Sequence, residues 1–169
     1  IPANIRKVAE FIKNLAEERN VPMPKILMEP GRSIVADAGM TLYTVGTVKK
    51  IPGYKNYAAV NGGMADNPRY TLYQADYTVL PADRMNDDRD FVCTIAGSCC
   101  ESGDLLQENV PMPRPNRGDL VAVLTTGAYN YSMASNYNRI PRPPVVLLGE
   151  NGPYIAVRRE TFEDLMKYE

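Results

Sequence analysis

Lys25-Ile26-Leu27-Met28-Glu29-Pro30-Gly31-Arg32, running on as Ser33-Ile34-Val35-Ala36-Asp37-Ala38-Gly39, divides the chain into two unlike parts. The apolar run at residues 25–28 predicts a short buried strand, and Glu29-Pro30-Gly31-Arg32 predicts the polar turn that stops it. Upstream, Ile5, Val8, Phe11, Ile12 and Leu15 recur at helical spacing, so residues 4–19 are expected to form an amphipathic helix that packs on something. Asn20 and the prolines at 22 and 24 end it.

Beyond Gly39 the pattern changes to short β-type runs separated by Gly, Pro and Asn, at residues 41–50, 57–60, 77–80, 91–96, 120–125, 145–148 and 154–158. That spacing predicts a mostly β architecture, an antiparallel sandwich or barrel. Asn151-Gly152 signals a hairpin between the last two runs. Thr161 with Asp164 three residues on can cap a short final helix bearing Phe162, Leu165 and Met166. The proline-rich stretches at 111–115 and 141–144 read as rigid loops between strands.

Composition excludes several kinds of chemistry. With no histidine, the chain holds neither a Ser-His-Asp nor a Cys-His triad, and no His-based metal site; three scattered thiols do not make a zinc site, so no metal is expected. A net charge of -1 gives no basic surface for nucleic acid or membrane. No apolar run approaches the roughly 18 to 20 residues of a membrane span. Cys93, Cys99 and Cys100 are an odd set with two adjacent members, which fits a reducing cytoplasm. The chain opens at Ile1 without an initiator methionine, and further residues are expected upstream.

Two loops concentrate reactive side chains. Gly97-Ser98-Cys99-Cys100-Glu101-Ser102-Gly103-Asp104 follows a predicted strand and reads either as a site or as a surface turn with an incidental cysteine. The tyrosine-rich loop from Thr126 through Tyr129, Tyr131 and Tyr137 to Asn138 either binds a ligand or covers the end of a sheet.

Taken in order, Glu29-Pro30-Gly31-Arg32-Ser33-Ile34-Val35, Gly63-Met64-Ala65-Asp66 with Arg69 and Leu72-Tyr73, Cys100-Glu101-Ser102-Gly103-Asp104, and Gly127-Ala128-Tyr129 through Ser135-Asn136-Tyr137-Asn138 resemble the diaminopimelate decarboxylases. The resemblance implies a pyridoxal 5'-phosphate enzyme that decarboxylates meso-diaminopimelate to L-lysine as a homodimer, its site shared across the interface. It implies an N-terminal (β/α)8 barrel of which residues 1–38 are the end, followed by a β-sandwich or barrel domain at 39–169. Glu29, Pro30, Gly31, Arg32 and Tyr129 would then contact the cofactor. Arg32, Arg69, Tyr73, Glu101 and Tyr129 would bind substrate, and Cys100 would be the catalytic thiol supplied to the partner subunit. Gly31 lets backbone approach a phosphate, and the fork of Arg32 suits a carboxylate. A thiol near Cα can return a proton after carbon dioxide leaves.

Departures from the family pattern are Asn61 for an aspartate, Tyr70 for a proline, Tyr77 near a usual histidine and Cys99 for an aliphatic residue. The last predicts that Cys99 packs, and Cys93 is expected in the core. The cofactor-holding lysine and a histidine of the family's early barrel have no match here, so the chain alone is expected to be inactive. Two other readings stand beside this one: a non-catalytic binding or regulatory module, and a decarboxylase of ornithine, lysine or arginine.

Overall fold

The computed structural model describes residues 2–169. Helix α1, Pro2–Glu18, starts on a proline whose missing N–H costs nothing in a first turn. It ends in a Schellman motif, with Asn20 at φ 52°, Asn20 N–H donating to Glu17 O and Val21 N–H to Ala16 O. Among the described residues its apolar stripe finds no cover: Ala16 alone of the helix is buried, and Phe11 is 67% exposed.

The strand expected at residues 25–28 does not form. Residues 21–31 carry no regular structure, and Leu27 is 80% exposed. A strand exists only where its backbone groups have neighbours to pair with, and among the described residues none runs alongside. Two 3₁₀ turns, Arg32–Ile34 and Ala36–Ala38, then lead into the sheet.

Six strands form that sheet: β1 Met40–Lys50, β2 Asn56–Val60, β3 Val79–Pro81, β4 Phe91–Ala96, β5 Leu105–Met112 and β6 Leu120–Leu124, in the order β3-β6-β1-β2-β4-β5. Four of the pairings are antiparallel as expected, while β2 and β4 run parallel. The sheet curls until its edges nearly meet. There the Tyr77 N–H, just before β3, donates to the Gln107 side chain on β5 at 2.8 Å. Alternate residues point inward, Phe91, Cys93 and Ile95 from β4 and Val121 and Val123 from β6, meeting Val45, Val60, Leu106 and Met112 in one core.

Strand β5 escapes the sequence pattern because Gln107-Glu108-Asn109 interrupts its alternation and Asn109 (φ 54°) sits at an irregular step in the pairing with β4. Pro111 and Met112, expected in a loop, belong to this strand. A proline is tolerated there because β5 is an edge. The run at 141–144 is a loop as expected.

Short helices α2, Arg69–Tyr73, and α3, Asn130–Met133, follow β2 and β6. A separate hairpin of β7, Val145–Gly149, and β8, Gly152–Val157, turns through Glu150 and Asn151, one residue earlier than the Asn-Gly signal implies. Helix α4, Phe162–Met166, carries the expected capping box between Thr161 and Asp164.

Candidate active site

At one end of the barrel the segment entering β1 locks against the loop leaving β6. Thr126 N–H donates to Gly39 O and Gly127 N–H to Ala36 O, both at 2.9 Å. The backbones of Gly39 and Gly127 are so close that a Cβ on Gly39 would stand 2.5 Å from the Gly127 Cα. Arg32 reaches across, its Nη2 donating to Thr125 O at 2.7 Å and its Nη1 to Ala128 O at 3.4 Å. Its guanidinium carbon lies 5.7 Å from the centre of the Tyr77 ring. Two of the five guanidinium N–H groups are thus committed to the loop, and among the described residues the others have no acceptor.

Thr125 (φ 61°) and Tyr129 (φ 71°) both adopt left-handed backbone that side chains other than glycine rarely take, a strain that clusters at functional loops. The conformation carries Tyr129 over Gly31. A Cβ on Gly31 would stand 2.5 Å from the tyrosine oxygen. Glu29 and Pro30, just before, are exposed.

Helix α2 brings Arg69 to the same cluster, its guanidinium carbon 5.2 Å from the Tyr73 ring centre and 5.7 Å from that of Tyr129. Among the described residues Arg69 Nε is buried without a partner, as are both polar atoms of the Asn67 side chain. Three ties hold the helix and the segment before it. The Tyr70 hydroxyl donates to Glu108 on β5 at 2.7 Å, and Glu108 also pairs with Lys55. Thr71 Oγ1 donates to Gly103 O at 2.8 Å. Asp66 accepts from Gly63 N–H at 2.8 Å and from the Tyr43 hydroxyl. Burial, and then the neighbouring Glu108, push the Tyr70 hydroxyl up to about 12, and burial raises the Asp66 carboxyl.

Cys100 and Glu101 stand on the β4–β5 loop, both exposed. The Glu101 carboxylate accepts from Gly103 N–H at 3.1 Å and from Ser102 Oγ at 3.3 Å. Within one chain, and among the described residues, no hydrogen bond joins Cys100 or Glu101 to Arg32, Arg69 or Tyr129; the Thr71–Gly103 bond links their loop to α2. Cys93 is buried in the core, and Cys99 is half-buried with its thiol pushed up to about 11 by burial and then by Asp104. The sequence reading gave no role to Tyr77, which stacks on Arg32, to Thr71, or to Asp104, whose flanking glycines were the available signal. Among the described residues no cluster of His, Cys, Asp or Glu is arranged to hold a metal ion, and no helix is long and apolar enough to cross a membrane.

A nearly closed barrel whose rim gathers Arg32, Arg69 and Tyr129, with Cys100 on an adjoining loop, describes a class. Residues 18–127 match the pyridoxal-dependent decarboxylase C-terminal sheet domain, and the chain belongs to that family. Its relatives are more particular. It is 50% identical over 163 residues to the diaminopimelate decarboxylase of Bacillus subtilis (strain 168), a match covering 96% of this chain and 37% of that protein. The crystal structure of diaminopimelate decarboxylase from M. jannaschii in complex with L-lysine superimposes with a TM-score of 0.78 at 36% identity, over 90% of this chain and 34% of that one. The Helicobacter pylori enzyme, also complexed with L-lysine, gives 0.75 at 34% identity over 86% of this chain and 35% of that one. The chain therefore spans little more than a third of the length of the relatives it matches.

Proposed function

We propose that this chain is the C-terminal part of a pyridoxal-phosphate-dependent decarboxylase that converts meso-diaminopimelate to L-lysine in the cytoplasm. The observation that carries the reading is the convergence of two arginines on the loop that ends in the exposed Tyr129, Arg32 on its Thr125 and Ala128 carbonyls and Arg69 on the Tyr129 ring, because a diamino diacid offers two carboxylates to be gripped. The B. subtilis relative carries the same activity in its name, and two similar structures hold the product L-lysine.

The residues present fit the cofactor. Gly31 leaves beneath the Tyr129 hydroxyl a space that any Cβ would fill, and backbone N–H, a phenol and the free face of Arg32 together suit a phosphate. Glu29 and Pro30 lead into Gly31, which caps the 3₁₀ turn after it, and would contact the cofactor beside it. When bound, pyridoxal phosphate supplies the electron sink that accepts the pair left on Cα as carbon dioxide departs. Arg32 holds one substrate carboxylate and Arg69, stacked between Tyr73 and Tyr129, the other. Glu101 takes the distal ammonium. Cys100, reaching the partner subunit's site in a homodimer, delivers a proton to Cα from its thiol. Residues 1–38 are the last part of a (β/α)8 barrel and residues 39–169 the β domain. The lysine that holds the cofactor comes from the upstream barrel, so this chain by itself is inactive.

The exposed stripe of α1 and the unpaired residues 25–28 have the form of an outer helix and a strand left without the rest of such a barrel. The test is to assay the intact protein with meso-diaminopimelate and with ornithine, following carbon dioxide and amine product. Release of L-lysine supports the assignment. Decarboxylation of ornithine with no reaction on the diacid overturns the choice of substrate, and no reaction with any diamino acid favours a non-catalytic module.

A further inference from the structure

The Asp104 carboxylate is 3% exposed, yet no lysine or arginine among the described residues pairs with it. Backbone satisfies it instead. Oδ1 accepts from Met64 N–H at 2.6 Å and Oδ2 from Cys99 N–H at 2.7 Å. Gly63 and Gly97 press against the carboxylate from two sides, and a Cβ on either would overlap its oxygens. The Asp104 backbone closes the same knot, its carbonyl accepting from Gly97 N–H at 2.8 Å and its N–H donating to Glu101 O at 3.1 Å. A buried charge held by two short charge-assisted bonds in a glycine cradle resists displacement strongly.

What those two bonds join is more informative than their number. Met64 lies on the segment that leads into α2 and so to Arg69 and Tyr73, whereas Cys99 adjoins Cys100 and Glu101. We infer that Asp104 is a positioning residue, which fixes the loop bearing Cys100 and Glu101 relative to the segment bearing Arg69 and Tyr73. The inference rests on the decarboxylase reading above. It also accounts for Cys99, whose half-buried thiol lies beside the same carboxylate and packs the cradle while Cys100 faces outward. Because Arg69 governs substrate binding and Cys100 the chemical step, loosening one joint moves KM and kcat together.

The experiment compares Asp104→Asn with Val121→Ala in the intact, cofactor-loaded protein, normalising rates to bound cofactor measured by absorbance. The amide of Asp104→Asn turns an NH2 toward one of the two backbone N–H donors, while Val121→Ala weakens the core without removing any hydrogen bond of the cradle. A displacement of order 1 Å predicts a fall in kcat/KM of about 10- to 100-fold for Asp104→Asn, shared between a raised KM and a lowered kcat. Val121→Ala keeps both constants near those of the parent. If Asp104→Asn loses stability but retains the parent's kcat and KM per bound cofactor, the residue is structural only and the inference is overturned.

Should that variant fail to fold, hydrogen–deuterium exchange of the parent protein decides. The Met64 and Cys99 amides are expected to exchange as slowly as strand amides, and exchange as fast as that of the exposed residues 101–102 overturns the inference. A parent that decarboxylates no diamino acid defeats the decarboxylase reading instead, and the exchange result still reports on the cradle.

Discussion

The Tyr70 hydroxyl and the Glu108 carboxylate meet at 2.7 Å, tying the helix that carries Arg69 to the edge strand β5. The tie anchors that helix to the sheet through a side chain. Removing the hydroxyl with Tyr70→Phe should cost about 1 kcal/mol, the net worth of one such bond. Denaturant unfolding checks the stability. A rise in KM for the diacid with kcat little changed would show that the helix positions Arg69.

Glu160 offers a pH test of the segment that follows the tyrosine-rich loop. Its carboxylate accepts from Arg142 N–H at 2.8 Å, Arg142 Nε at 2.7 Å and Asn136 Nδ2 at 2.7 Å, and Arg142 above all holds it down to about 2. A folded-state value below the unfolded one means that this group stabilises the fold above the unfolded pKa and loses that effect as pH falls through the folded one. Melting temperatures of the parent and Glu160→Gln should therefore differ most near neutral pH and converge between 4.5 and about 2. Curves that stay parallel down to the acid limit would remove Glu160 from the linkage.

Gly31→Ala probes the proposed cofactor cradle with little risk to the fold, because the atom in the way is the end of a tyrosine side chain. The new methyl drives the Tyr129 hydroxyl from its place. We expect an unchanged melting temperature without cofactor and about a tenfold weaker pyridoxal phosphate affinity, or 1.4 kcal/mol. An absorbance titration of the intact protein measures it, and an unaltered affinity would detach Tyr129 from the cofactor.

Much of this architecture is legible in the sequence, and the failures share a cause. The strands that face a single core announce themselves through Val45, Ile95, Val121 and Val123, and the capping box at Thr161 specifies its own geometry. Strand β5 was hidden because an edge needs neither strict alternation nor freedom from proline, as Asn109 and Pro111 show. Residues 25–28 have strand character but no partner among the described residues. Pairing is a property of two segments, and one-dimensional pattern reports only one of them. In the site, charged residues stood out as candidates, while Asp104 did not: its role depends on backbone donors from Met64 and Cys99 that are brought together only by folding.

The role proposed for Cys100 would separate the chemical step from cofactor binding. Its side chain is exposed on a loop ordered by Asp104 and by Thr71, and it takes no part in the hydrogen bonds that hold that loop. Cys100→Ala should therefore leave folding and pyridoxal phosphate absorbance intact. Loss of a positioned proton donor predicts a kcat lower by about 10²- to 10⁴-fold. The substrate KM should move little, since the partners proposed for the carboxylates and the distal ammonium, Arg32, Arg69 and Glu101, are left untouched. Single-turnover kinetics in heavy water distinguish this from a binding defect: the parent should place one deuterium on Cα with defined stereochemistry, and the variant should do so slowly or with scrambled configuration. A variant with the parent's rate and stereochemistry would assign the proton to another group.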